Sequence, residues 1–526
     1  MRNTTRSLRG MVTSPHHLAS QAGLAVLREG GTAIEAAVAT AAALAVVYPH
    51  MNSIGGDSFW LLHAPGRAPV AIEGCGRAAM AANLSAYRGL DAIPWRGKLA
   101  ANTVAGTISG WEEALVLNRE WGGALGLERL LADAVAYARE GVPVGGGLAR
   151  TIAAKIDELR ECFGFAAVFL PDGTPPAVGQ VLKQPALAET LERLGRDGLE
   201  GFYRGSLSAA ILEDLRACGT LLSAEDLAGH RAARREALWV DLKVGRVFNF
   251  PPPTQGLASL LILAIFEQLG ITEADGFAHV HGLVEATKRA FAMRDAEVGD
   301  PEYMTIDPQE LLGDRQRLAA WANEIASFQA GPWQREPGGG DTVWFGAIDA
   351  EGRAASVIQS TYFEFGSGIV LPQTGIIWQN RGASFRLAQD GWNALRPGRK
   401  PFHTLNPALA HLRDGRVMVY GTMGGDGQPQ TQAAIFSRYA MFGQELQQAV
   451  SAPRWLLGRT WGDASTSLKL EPRLGLLEEL SAVGHQVEIV ADYSDVMGHA
   501  GALVWHPNCV LEGAADPRSD GVVAGW

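Results

Sequence analysis

The chain has 526 residues, 47% hydrophobic and 19% charged, a composition that gives ample core and excludes a disordered or low-complexity protein. Its 45 Lys and Arg stand against 56 Asp and Glu, a net charge of −11 with no long basic run, which argues against nucleic acid or an anionic membrane as partner and for small molecules. The cysteines, Cys75, Cys162, Cys218 and Cys509, are scattered without disulfide-framework or metal-ligand spacing and suit free thiols in a reducing compartment.

In chain order, Arg2, Arg6 and Arg9 run into polar Thr13-Ser14-Pro15-His16-His17 with no apolar signal segment, so a cytoplasmic protein is expected. Residues 18–29 carry apolar positions at helical spacing and stop at Gly30-Gly31. Thr32-Ala33-Ile34-Glu35 is a capping box opening a second helix to about Val47, giving an αα-hairpin at the start of the fold. The apolar run 36–48 is too short to span a membrane and reads as a buried core helix. Residues 58–63 and 69–73 read as strands around Pro65-Gly66, and helical patterns follow over 111–120, 127–140, 148–162, 185–194, 206–218, 257–269 and 276–296. Strand-like runs then dominate, at 342–349, 354–362, 375–379 and 417–421. Helices covering a β-sandwich predict an αββα layering of the α/β (α+β) class.

The change of texture falls at Gly338-Gly339-Gly340-Asp341-Thr342, a flexible glycine segment leading into a strand that begins with a hydroxyl. That arrangement suits self-cleavage. The Thr342 hydroxyl can fold back on the Asp341 carbonyl, and the acyl shift and hydrolysis that follow would free Thr342 as an N-terminus whose amine serves its own hydroxyl as base.

Several blocks together resemble the γ-glutamyltranspeptidase family of N-terminal nucleophile hydrolases: residues 17–31, Tyr48-Pro49-His50 with Ile54-Gly55-Gly56, Pro251-Pro252-Pro253, residues 342–349, Phe365-Gly366-Ser367-Gly368, Ala452-Pro453-Arg454 and Asp516-Pro517-Arg518-Ser519. The resemblance covers nearly the whole chain and implies the four-layer αββα sandwich read above. It implies Thr342 as nucleophile and cleavage between Asp341 and Thr342, giving a large subunit 1–341 and a small subunit 342–526 that stay associated in one intertwined domain. A further pairing into a dimer of heterodimers is left open. The family's oxyanion-hole glycines fall on Gly424 and Gly425, and the hydroxyl serving the nucleophile's amine falls on Ser360.

The substrate clamp departs from the family. The Arg and Asp that hold a γ-glutamyl zwitterion fall on Cys75 and Ser384; Tyr362 replaces an Asn, Arg381 a Gln, and His403 and Thr404 a pair of serines. A lone cation thus replaces the zwitterion pair. Arg381, with Tyr362, His403, Thr404 and Asn380 around it, suits a small acid amide without an amine. The clamp is most similar to that of family members that split oxamate to oxalate and ammonia late in urate and allantoin breakdown. A γ-glutamyl hydrolase or transferase, or another acylase of the family, is the nearer alternative. An unprocessed, catalytically silent binding protein is the farther one. No cofactor and no metal are expected: His16-His17 and His279-Val280-His281 diverge on a helix and bring no carboxylate partner with them. Cys75 reads as a buried thiol of the pocket wall.

Overall fold

The computed structural model of the protein describes residues 3–333, 340–458 and 466–526, so Gly338 and Gly339 of the expected junction lie outside the described residues. Among those described, two seven-stranded antiparallel sheets face each other. The first runs, from edge to edge, Val522–Gly525, Gly10–Ser14, Asp341–Asp349, Ala354–Tyr362, Asp57–His63, Val70–Gly74 and Ala233–Glu236. The second runs Thr5–Ser7, Leu511–Ala515, Ala500–Trp505, Val417–Thr422, Ala408–Leu412, Gly245–Asn249 and Leu238–Leu242. Each sheet mixes strands from before and after Thr342.

The period of two along Asp341–Asp349 decides which side chain goes where. Trp344 and Ile348 enter the core between the sheets with Phe59, Leu61, Ile358, Leu409, Val419 and Leu503. Val343, Phe345 and Ala347 point the other way, into a cluster shared with the helix Ala33–Val47. That helix is buried along its full length, which explains why its apolar run shows no polar face. Helices His17–Arg28, Ala33–Val47 and Thr107–Glu120 cover the first sheet; Gly256–Gln268, Gly427–Phe436 and Leu446–Ser451 cover the second. The expected αββα layering is what forms. No helix of the described residues is long and apolar enough to cross a membrane.

The capping box is present, with Thr32 Oγ1 accepting from Glu35 N at 3.1 Å and Glu35 Oε2 accepting from Thr32 N at 2.8 Å. The same helix start is tied to the first sheet, because Ala33 N donates to Asp349 Oδ2 at 2.9 Å. Thr32→Ala is therefore expected to lower the free energy of unfolding by about 1 kcal/mol in a denaturant titration while leaving turnover unchanged.

Three expectations change. Residues 375–379 form no strand: only the isolated bridges Val370↔Ile377 and Gly55↔Trp378 occur there. The run is apolar because Ile376, Ile377 and Trp378 are buried by their neighbours. Strand Ala233–Glu236 was hidden by charge, being an exposed edge strand rich in arginine, and the short, largely buried strands Leu238–Leu242 and Gly245–Asn249 follow it. The αα-hairpin is preceded by the strands Thr5–Ser7 and Gly10–Ser14 rather than opening the fold.

Candidate active site

Thr342 lies fully buried near the start of the strand Asp341–Asp349, where the ladder slips. Asp341 pairs with Tyr362 but Val343 pairs with Gln359, so Ser360 and Thr361 together oppose Thr342 in a β-bulge. The bulge brings two hydroxyls together: Thr342 Oγ1 donates to Ser360 Oγ at 3.3 Å, and Ser360 Oγ accepts from Tyr362 N at 2.8 Å. Tyr362, immediately after it, takes the left-handed backbone conformation with φ of 86°. Strain of this kind collects where a side chain has to be aimed.

The strand runs unbroken through Asp341 into Thr342, so this is the uncleaved chain, and the Thr342 nitrogen is an amide. A Cβ added to Gly340 would lie 2.9 Å from two ring carbons of Tyr362 and 3.3 Å from Thr404 Oγ1. The backbone before the expected cleavage point therefore rests on two residues expected to hold substrate, with no room for a side chain.

Across the sandwich, Trp344 packs on the backbone of Gly421, where a Cβ would meet its Cδ1 at 2.2 Å. Three residues on, Gly424 and Gly425 have φ of 119° and 49°, which a side chain would resist. Among the described residues neither amide donates a hydrogen bond. The turn directly follows the strand Val417–Thr422, which packs across the sandwich on the strand that carries Thr342. Gln255 braces it, donating from Nε2 to the carbonyls of both Thr404 and Gly425 at 2.7 Å. Arg294 supports Gln255 Oε1 and bonds Asp426 Oδ1 at 2.9 Å.

Arg381 is fully buried, its guanidinium carbon 3.9 Å from the centre of the Tyr362 ring. Nη1 donates to Thr404 Oγ1 at 3.4 Å, while Nε and Nη2 have no partner among the described residues. Burial pulls its pKa down to about 10, opposed by Tyr362, Asp57 and Cys75, so it stays a cation at neutral pH. A buried guanidinium with two open nitrogens is suited to a planar carboxylate.

Arg381 is not a lone cation, which corrects the sequence reading. Asp57, fully buried, is bonded by Gln379, two residues before Arg381, and faces His403, next to the Thr404 that Arg381 bonds, though it makes no direct ion pair with Arg381. Its Oδ1 accepts from Gly76 N and Gly106 N at 3.1 Å and from Gln379 Nε2 at 3.0 Å. Its Oδ2 has no hydrogen bond and lies 3.7 Å from His403 Nε2. His403 is buried against Phe59, ring centres 4.9 Å apart, with neither nitrogen bonded among the described residues. Burial first, then Arg381 and Lys400, keeps the imidazole neutral.

Of the remaining expected residues, Asn380 is spent on the loop: Nδ2 donates to Trp95 O at 2.8 Å and Oδ1 accepts from Phe363 N at 3.2 Å. Ser384 bonds the Phe402 carbonyl at 3.4 Å. Cys75 is buried, and burial raises its thiol well above the usual range, which leaves it inert. Two residues on from Cys75, Arg77 is a second cation in sequence but bonds Glu302 at 2.7 Å and the Gly398 carbonyl at 2.9 Å.

The histidine reading also needs correcting, because His281 does meet a carboxylate. His281, Glu285 and His485 bring ligand atoms within 4.8 Å of one another, the last from residues far along the chain. They already satisfy one another and their neighbours: His281 Nδ1 bonds His485 Nε2 at 2.9 Å, His281 Nε2 bonds Ala326 O at 2.8 Å, and the Lys288 ammonium holds Glu285 Oε1 at 2.7 Å.

The sequence reading missed Asp57, Gln255 and Arg294. Asp57 follows Ile54-Gly55-Gly56, a block already singled out, and Gln255 follows Pro251-Pro252-Pro253, so adjacency to those blocks was the available signal.

Known proteins share this sequence pattern and this fold. The family model for Gamma-glutamyltranspeptidase matches residues 19–526. The chain is 54% identical over 529 residues to the oxamate amidohydrolase proenzyme of Klebsiella pneumoniae, covering 100% of both. It is 40% identical over 520 residues to a glutathione hydrolase-like proenzyme of Bacillus subtilis, covering 98% of each. The crystal structure of a cephalosporin acylase from Bacillus halodurans superposes with a TM-score of 0.91 at 34% identity, covering 100% of this chain and 97% of that one. The family match spans nearly the whole sequence and the sandwich is shared, so the chain belongs to the γ-glutamyltranspeptidase family.

Proposed function

We propose that the protein is a self-processing amide hydrolase with an N-terminal threonine nucleophile, and that its substrate is oxamate, split to oxalate and ammonia. The observation that carries the substrate is the buried Arg381 guanidinium with two open nitrogens on a tyrosine ring. The 54% identity to a proenzyme named for oxamate supports it.

In processing, Thr342 Oγ1 attacks the Asp341 carbonyl, the C–N bond breaks to leave an ester, and water hydrolyses the ester to the Asp341 carboxylate and a free Thr342 amine. The parts 1–341 and 342–526 then stay interlocked, since Gly10–Ser14 pairs with Asp341–Asp349 along Gly346↔Thr13 to Asp349↔Gly10. In turnover the amine, steadied by Ser360, takes the proton of its own hydroxyl, and the oxygen attacks the amide carbonyl of oxamate. The amides of Gly424 and Gly425 hold the oxyanion, ammonia leaves with the proton, and water releases oxalate from the ester. Arg381, with Thr404 and Tyr362, holds the neighbouring carboxylate. The four cysteines, all free, suit a cytoplasmic enzyme of nitrogen salvage.

Asp57 favours a second reading, in which a γ-glutamyl group sets its carboxylate on Arg381 and its ammonium on Asp57. One experiment separates the two. Processed protein is incubated with oxamate and, separately, with a γ-glutamyl anilide, and ammonia or aniline release is followed. Release from oxamate alone is expected; release from the anilide alone would overturn the proposal and leave the nucleophile standing.

A further inference from the structure

Asp57 stands apart from the processing and acylation steps, yet it is the buried carboxylate of the clamp. Its two oxygens differ in kind. Oδ1 is held by three N–H donors from Gly76, Gly106 and Gln379, which fixes the group in place, whereas Oδ2 faces His403 Nε2 across 3.7 Å with no hydrogen bond. Before substrate binds the processed protein, this carboxylate is available to balance the Arg381 charge, and a substrate carboxylate arriving at Arg381 would add a second anion to the same buried space. Two uncompensated buried carboxylates beside one guanidinium are strongly disfavoured.

We propose that Asp57, lodged against Gln379 and His403 on the same pocket wall, balances the Arg381 charge without touching it, and that a substrate carboxylate bound at Arg381 takes over that role as Asp57 takes up one proton from solvent. The inference rests on the carboxylate-amide reading of the site. The proton balance is simple: a monoanion and a proton enter together, the pocket charge is unchanged, and no other bond forms or breaks. Asp57 acts through Arg381 and is a positioning residue. It also acts as a gate on specificity, because a substrate bringing its own ammonium would keep Asp57 ionised and need no proton.

The groups around Asp57 leave it as the side chain that titrates near neutrality. Burial raises it to about 7 against the pull of Arg381 and its N–H donors. Arg381 remains charged, His403 remains neutral, and the Cys75 thiol and the Tyr203 phenol are raised well above their usual ranges by burial. After processing, the Thr342 amine, ordinarily near 8, titrates in the same window. It is common to the wild type and an Asp57 variant, so the difference between the two isolates Asp57.

The test uses glycolate, a small carboxylate with no amide to cleave, as a ligand of the processed protein between pH 6 and 9. In the wild type its dissociation constant should rise above pH 7 towards tenfold per unit, and calorimetry in buffers of different ionisation enthalpy should report close to one more proton taken up than in Asp57→Asn. Asn keeps an oxygen for the three N–H donors but cannot ionise. At pH 8.5 Asp57→Asn should therefore bind glycolate about 30-fold more tightly than the wild type, a gain that structural damage would not give. Equal pH slopes in the two proteins, or weaker binding by the variant throughout, would overturn the proposal. Should Asp57→Asn fail to fold, infrared difference spectra of the wild type decide: glycolate should bring up the carbonyl band of a protonated carboxyl, and its absence would overturn the idea. Proton-linked glycolate binding without oxamate turnover would sink the substrate and keep this inference; oxamate turnover without proton uptake would do the reverse.

Discussion

Thr342→Ala should leave the chain at its full 56.0 kDa on a denaturing gel and release no ammonia from oxamate. One oxygen is asked to do both jobs. In the uncleaved chain it is the group beside the Asp341 carbonyl, aimed by the bulge and held at 3.3 Å from Ser360 Oγ. In the processed protein it is the attacking atom. Losing a nucleophile of this kind costs a factor of about 10⁴ or more in turnover, beyond ordinary detection here. Thr342→Ser keeps the oxygen and loses the methyl that fixes its rotamer, so slower cleavage and weaker turnover should both survive. A Thr342→Ala protein that is cut at residue 341, or that turns over oxamate at the wild-type rate, would refute the mechanism.

The second large effect is expected at Arg381. Arg381→Gln removes the charge while keeping a planar polar group, and the KM for oxamate should rise by about 100-fold, equivalent to about 2.7 kcal/mol. The kcat should change far less, because the guanidinium holds the carboxylate in ground state and transition state alike. Cleavage should proceed, since the Arg381 hydrogen bond goes to Thr404 and not to Thr342 or Ser360. Arg381→Lys should rescue poorly: an ammonium keeps the charge but loses the fork and the stacking on Tyr362 at 3.9 Å. A KM unmoved by Arg381→Gln would mean that the carboxylate is held elsewhere.

Local patterns carried much of this architecture. Thr32 and Glu35 announce a helix start because the capping box is made within four residues, and Ala354–Tyr362 shows itself as a strand because its burial is continuous. The exposed edge strand Ala233–Glu236 escaped because its arginines answer to solvent and to Glu73, Glu113 and Glu120, not to a core. Residues 375–379 misled for the opposite reason, being buried without a ladder. The site divides in the same way. Thr342, Ser360, Gly424 and Gly425 could be read from blocks of sequence. Asp57 could not be joined to Arg381 and His403, because it starts a strand hundreds of residues before the short 3-10 helix of Arg381 and the loop of His403, and meets them only when the sandwich closes. Arg454 and Arg518 belong to blocks that carry the family resemblance, yet their work is structural: they enclose Asp516 at 2.6 and 3.1 Å.

Gly340 has a bearing on how this enzyme must be assayed. Its backbone lies against the Tyr362 ring and Thr404, so an intact chain is filled by its own segment where oxamate is proposed to sit. Intact chains would then act neither as slow catalysts nor as competitors for substrate; they would be silent. Specific activity measured on a fresh preparation should climb with storage time in step with the cut fraction, and rates divided by total protein would understate the enzyme. The quantity to divide by is the number of free threonine N-termini, counted by end-group sequencing.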